Sequence, residues 1–196
     1  PVLPKGNNLS LHLLELFTSR VAKVGMTDGI RQVLQEESDA LRAYYEQAGI
    51  LIARPAGGTS CRLAISAKGG TNAENHNHND VGSYAVALGS ETMVGDQGGP
   101  NSYPGDYFNG DAPQKYKIKG SFGHPVPVVD GRTQSSGGKA KGVVLQKEFT
   151  NEKDVFSINY TSAYSTPNLD KLIRTFVYDR QGKGSFTVGD EFTAKT

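Results

Sequence analysis

Five consecutive residues, His76-Asn77-His78-Asn79-Asp80, set two imidazoles and a carboxylate side by side, and Asp96 and His124 follow downstream. Three of the four histidines in the chain thereby gather around one prospective site. Imidazole nitrogen and carboxylate oxygen together suit Zn²⁺, or another divalent ion, held by three protein groups at about 2.0 to 2.2 Å with one position left open. In an extended segment His76, His78 and Asp80 would point to one face, because strand side chains alternate with period two. A single histidine on a sheet is most often a hydrogen-bonded structural residue, but an H-x-H pair with two further ligand types downstream favours a metal. Asp80 has three readings: a ligand, an acceptor that orients one imidazole, or a turn former before Gly82, of which the last two are favoured.

A second group is Lys115-Tyr116-Lys117-Ile118-Lys119. Its alternation predicts a strand over 114–119, with a solvated lysine face and with Tyr116 and Ile118 opposite. Tyr116 is then either a core aromatic or a group that gives and takes protons. Other chemistries lack support. No Gly-x-Ser-x-Gly elbow surrounds Ser60, Ser66 or Ser83, and Gly182-Lys183-Gly184-Ser185 reads as a hairpin turn rather than a phosphate-binding loop.

The elements that must position these groups are mostly β. Glycine occupies 24 of 196 positions, tryptophan is absent, and apolar runs are short, so strands joined by tight turns are expected. Strands are predicted at 50–54, 60–67, 83–88, 92–95, 114–119, 126–129, 142–149, 156–160, 172–178 and 185–188, enough for a sandwich. The stretches 100–113 and 131–138 read as loops, the first long enough to be functional. Two amphipathic helices are expected near the start, one capped by Asn8 or Ser10 and running to Val24, the other capped by Thr27 and fading between Tyr44 and Gly49. Their apolar stripes need a partner surface, which suggests a piece of a longer protein. The organisation expected is therefore a helical segment or linker over 1–45, left from an upstream α-helical domain, and a β-sandwich domain over 46–196. Cys61, the single cysteine, excludes an internal disulfide and reads as a small core residue. The 21 basic and 20 acidic residues nearly cancel, so no overall charge argues for nucleic acid or a membrane surface.

Taken together, the run from Asn75 to Tyr84, then Gly95-Asp96-Gln97-Gly98, Tyr116-Lys117-Ile118 and Ser121-Phe122-Gly123-His124-Pro125-Val126-Pro127 resemble the heparinase II/III-like polysaccharide lyases, and Val128 to Gly131 with Gln134 extend the match. Their order and spacing are most similar to the alginate and oligoalginate lyases of that group. The resemblance implies an antiparallel β-sandwich that follows an α-helical toroid, with an acidic polysaccharide or oligosaccharide bound between the two, and a periplasmic or secreted location. It implies that His78, Asp96 and His124 hold a metal ion, usually zinc, that His76 faces substrate, and that Tyr116 transfers a proton, with Tyr107 in reserve. The implied reaction is β-elimination at a uronic acid, in which the C5 proton is removed, the C4 oxygen leaves and an unsaturated sugar remains. Pro125 departs from the pattern, and the part that would supply another catalytic tyrosine is not within the resemblance.

Three other readings compete. The spacing from Gly70 to His76-Asn77-His78 imitates the opening of a cupin metal motif, but no glutamate follows at the required step. A metal-braced sandwich that binds acidic glycans without catalysis would use the same histidines structurally. An epimerase would abstract the same C5 proton and return it from the other face.

Overall fold

The computed structural model describes residues 40–96 and 98–195. Two five-stranded antiparallel sheets face each other. The first contains β1 (Arg42–Tyr45), β2 (Ile50–Ala53), β3 (Leu63–Lys68), β5 (Tyr84–Leu88) and β6 (Glu91–Val94), ordered β1-β2-β3-β5-β6. The second contains β4 (Gly70–Asn72), β7 (Gly137–Phe149), β8 (Lys153–Asn159), β9 (Leu169–Asp179) and β10 (Ser185–Ala194), ordered β10-β9-β8-β7-β4. The chain is the mostly β antiparallel sandwich that its short apolar runs foretell.

The period-two pattern decides which faces meet. Along β9, Leu172, Arg174, Phe176 and Tyr178 are buried while their neighbours are half-buried, and along β8 Asp154, Phe156 and Ile158 point inward. Leu51, Ala53, Ile65 and Ala67 of the first sheet join Phe156, Ile158, Phe176 and Tyr178 of the second in one core. Phe156, Phe176 and Phe186 form a row across β8, β9 and β10, with ring centroids 6.0 and 6.2 Å apart. Cys61 is buried against Tyr178, its sulfur 3.6 Å from the phenol oxygen. The β9–β10 hairpin turns at Gly182 and Gly184 as foreseen, and Gly184 admits no side chain because a Cβ there would lie 2.4 Å from the Cys61 sulfur.

Three expectations are corrected. Residues 114–119 do not form a strand. Ala112–Lys115 is a single helical turn started by Pro113, followed by 3₁₀ turns at Lys117–Lys119 and Ser121–Gly123. The alternation of lysines was therefore not a strand face, and Lys119 is 3% exposed. Residues 126–129 contribute only an isolated bridge from Val129 to Arg132. The helical periodicity expected to fade after Tyr44 has already given way to strand at Arg42–Tyr45, where every residue pairs with β2, so the sheet reaches four residues before position 46. The first helix expected earlier, and the second as far as position 39, lie outside the described residues.

One ion pair connects the sheets to the loops at their end. Arg174 is buried on β9, and its Nε and Nη2 donate to both carboxylate oxygens of Asp190 at 2.8 and 2.6 Å. Nη1 donates to the carbonyls of Gly82 and Pro125, each at 2.8 Å, and the Tyr160 hydroxyl donates to Asp190 at 3.0 Å. Asp190→Ala would leave the guanidinium buried without its counter-charge, at a cost of about 3 kcal/mol. Urea denaturation measures this; a loss of about 0.5 kcal/mol or less, as for an ordinary surface change, would show that the pair is not structural.

Candidate metal centre and cavity

The loops that join the sheets converge at one end of the sandwich. His76, His78 and Asp80 lie between β4 and β5, Asp96 follows β6, and His124 follows the second 3₁₀ turn. That turn closes tightly: a Cβ on Gly123 would meet the Ile118 carbonyl at 2.5 Å, so only glycine lets His124 leave in extended conformation.

Among the described residues, His78, Asp96 and His124 form the group of potential metal ligands whose donor atoms all lie within 4.8 Å of one another. The His78 Nδ1 is 3.1 Å from His124 Nε2, and His124 Nδ1 is 3.2 Å from Asp96 Oδ2. These two contacts engage opposite nitrogens of the His124 ring, so the measure of the set is that one donor atom from each residue lies within 4.8 Å of the others. Ligands of a tetrahedral ion stand about 3.4 Å apart, so small side-chain rotations would close these three on a zinc-sized ion. A second feature agrees. His124 is buried, and among the described residues its Nδ1 finds no well-aligned hydrogen bond, only the Asp96 carboxylate beside it. Asp96 is itself fixed by the Gly98 amide, which donates to Oδ1 at 2.6 Å.

Charge supports the same reading. Burial, aided by the His124 ring, pushes the His78 pKa below its ordinary value near 6.5, so this imidazole is neutral at pH 7, the form that binds a metal. Burial alone would raise the Asp96 carboxyl, but the His124 ring and the Gly98 N–H together hold it below the usual carboxylate range.

His76 stands apart from this group. The backbone takes a left-handed conformation at His76 (φ 59°), which breaks the alternation that would have put His76, His78 and Asp80 on one face. The exposed His76 ring lies against Phe108, centroids 4.5 Å apart, at the wall of an open cavity of about 400 Å³. Asn75, Asn77, Asn109 and the buried Lys119 also line it. The two-histidine grip of a cupin is therefore not formed. Asp80 is no ligand either: it binds the Lys68 ammonium at 2.6 Å, and its carbonyl accepts the Ser83 N–H in a turn.

Tyr116 is half-buried beside Tyr107, ring centroids 5.2 Å apart, and does not line the cavity. Its hydroxyl donates to Asp106, which also binds Lys115, and that hydrogen bond raises the phenol's pKa. Tyr107 is 2% exposed, and its hydroxyl has no partner among the described residues. Two wall residues were missed in the sequence. Phe108 sits in a loop without periodicity, and Lys119 looks like its neighbours Lys115 and Lys117 until the chain is folded. Lys119 donates to the Tyr107 carbonyl at 2.6 Å and lies 4.6 Å from that ring, with burial lowering its pKa.

No protein-family model matches the sequence, and no curated protein matches it. Among solved structures, a mutant of the heparan sulfate lyase HepC from Pedobacter heparinus matches with a TM-score of 0.63 at 18% sequence identity, over 84% of this chain. This is a fold found in a polysaccharide lyase. The chain spans 25% of the length of that lyase, so the likeness concerns one part of a larger molecule.

The lowered His78 pKa has a consequence for stability without metal. The unfolded chain binds a proton near pH 6.5 that the native state refuses, so stability rises with pH through that window. The His78 contribution is present above about pH 6.5 and is lost as pH falls from there toward the lower native value. Melting curves of chelator-treated protein should show this acid loss, and His78→Ala should flatten it. An unchanged slope in the variant would contradict the half-buried, neutral placement of His78.

Proposed function

We propose that this chain is the β-sandwich part of a polysaccharide lyase of the heparinase II/III-like kind, acting on a uronate-containing polysaccharide of alginate or glycosaminoglycan type. The observation that carries this reading is the open cavity walled by His76 and asparagines beside a metal-compatible triad, on a sandwich whose fold recurs in a heparan sulfate lyase. An upstream α-helical domain would form the other wall of the cleft, and the location would be periplasmic or extracellular.

Zinc, or another divalent ion, would be held by His78, Asp96 and His124, where it would brace the loops beside the cleft. The reaction itself would fall to the side chains of the cavity. His76 and the amides of Asn75, Asn77 and Asn109 can donate hydrogen bonds to the uronate carboxylate, which stabilises the enolate-like charge that builds as the C5 proton leaves. Tyr116 stands outside the cavity lining and keeps its proton at neutral pH, so it would protonate the departing C4 oxygen only where substrate reaches past the cavity wall and replaces Asp106 as the partner of its hydroxyl. The base at C5 would come from the upstream domain.

Two measurements test the reading. Elemental analysis of unchelated protein should find one zinc, or one other divalent ion, per chain, and His78→Ala should abolish it with loss of thermal stability. In a longer protein carrying the helical domain, heparan sulfate, alginate and related polymers are assayed for the ultraviolet absorbance of unsaturated uronate. His76→Ala there should abolish turnover while keeping the metal, and the isolated sandwich should be almost inactive because its catalytic groups are split from their partners. Absence of unsaturated product from every uronate polymer would sink the lyase reading. Rapid turnover by the isolated chain would show that the catalytic residues are misplaced.

A further inference from the structure

Gln134 is 1% exposed, and every hydrogen-bonding group it has is used. Its Oε1 accepts the Val81 amide and the Asn72 side-chain amide, each at 3.0 Å, and its Nε2 donates to the Val81 carbonyl at 2.7 Å. The same Nε2 lies 3.4 Å from the Tyr164 hydroxyl, which itself donates to the Pro127 carbonyl at 2.6 Å. The backbone continues the pattern. The Gln134 N–H donates to the Ser121 hydroxyl at 2.9 Å, and its carbonyl accepts the Asn79 side-chain amide at 3.0 Å.

These bonds join two segments that are far apart in sequence. Asn79 and Val81 follow His78 by one and three residues on one segment, and Ser121 precedes His124 by three residues on the other. Neither segment is part of a strand. A loop without ladder hydrogen bonds keeps its place only through such contacts, and a side chain that exchanges both an N–H and a C=O with one residue imitates a β-bridge.

We propose that Gln134 is the positioning residue of the metal centre, setting the separation between His78 and His124 before any ion arrives. The proposal rests on the metal reading above. Partners that orient ligands are worth about 10- to 100-fold in metal affinity, whereas a change in the distant core should alter stability alone.

The test is competitive zinc titration of the metal-stripped chain against a chromophoric chelator, well below every variant's melting temperature. Gln134→Leu removes the side-chain bonds to the His78 segment, and affinity should fall about 10-fold or more. Ser121→Ala removes only the bond on the His124 side and should weaken zinc severalfold; it keeps the question decidable should Gln134→Leu fail to fold. Phe156→Leu, a core change, should lower the melting temperature without changing zinc affinity. Unchanged affinity in the folded Gln134 and Ser121 variants, or an equal fall in Phe156→Leu, would overturn the proposal and leave Gln134 a purely structural residue. A wild-type chain that takes up no zinc would overturn the metal reading instead.

Discussion

Arg174 is the point at which the two halves of this protein's design meet. A guanidinium taken out of water is costly unless it is paired and its remaining N–H groups are satisfied. Here Asp190 supplies the charge and the carbonyls of Gly82 and Pro125 take the other donor. The two carbonyls belong to the segments that carry His78 and His124. A residue placed by strand register on β9 thus fixes loops that have no register of their own. Tyr160 and Tyr84 flank the cation, their ring centroids 5.5 and 5.8 Å from the guanidinium carbon, and add apolar contact without removing its hydrogen bonds.

The end of the sandwich carries two chemically distinct compartments. On one side, His78, His124 and Asp96 are drawn together and partly shielded from water, which suits a fixed ion. On the other, His76 and its asparagine neighbours face an open cavity with hydrogen-bond donors and acceptors, which suits a hydrated ligand. One left-handed residue, His76 itself, separates them. Such a conformation is unfavourable for a residue with a side chain, and strain of this sort collects where function requires a particular orientation.

Much of the fold was legible because the strands obey period two. The predicted segments at 50–54, 83–88 and 185–188 each coincide with or fall within a strand extended or trimmed by no more than a few residues, except that β10 runs on to Ala194. The short β4 escaped because three residues show no period, and β1 because it was read as the tail of a helix. The failure at 114–119 is instructive. Its lysines alternate as a strand would, but Pro113 starts a helical turn and the Tyr116 N–H bonds the Ala112 carbonyl, so local backbone chemistry outweighed the pattern. The types of the candidate metal ligands were visible as a motif, and their convergence needed only the order of the strands. Burial of Lys119 and the saturation of Gln134 were not visible, since both depend on loops whose course no periodicity records.

The segment from Gly95 to Ser136 has a kinetic meaning. It leaves the first sheet after β6 and enters the second at β7, and it contains Asp96, Tyr107, Tyr116, His124 and Gln134. Gln134 is separated from Asn72 by 62 residues, and Arg42 from Asp154 by 112. Contacts at such separations bear their loop-closure entropy before they return any energy. The three candidate ligands therefore converge late, after the contacts that close these long loops. They come together only when both sheets have formed and closed, which makes the convergence of His78, Asp96 and His124 a product of folding and not its nucleus.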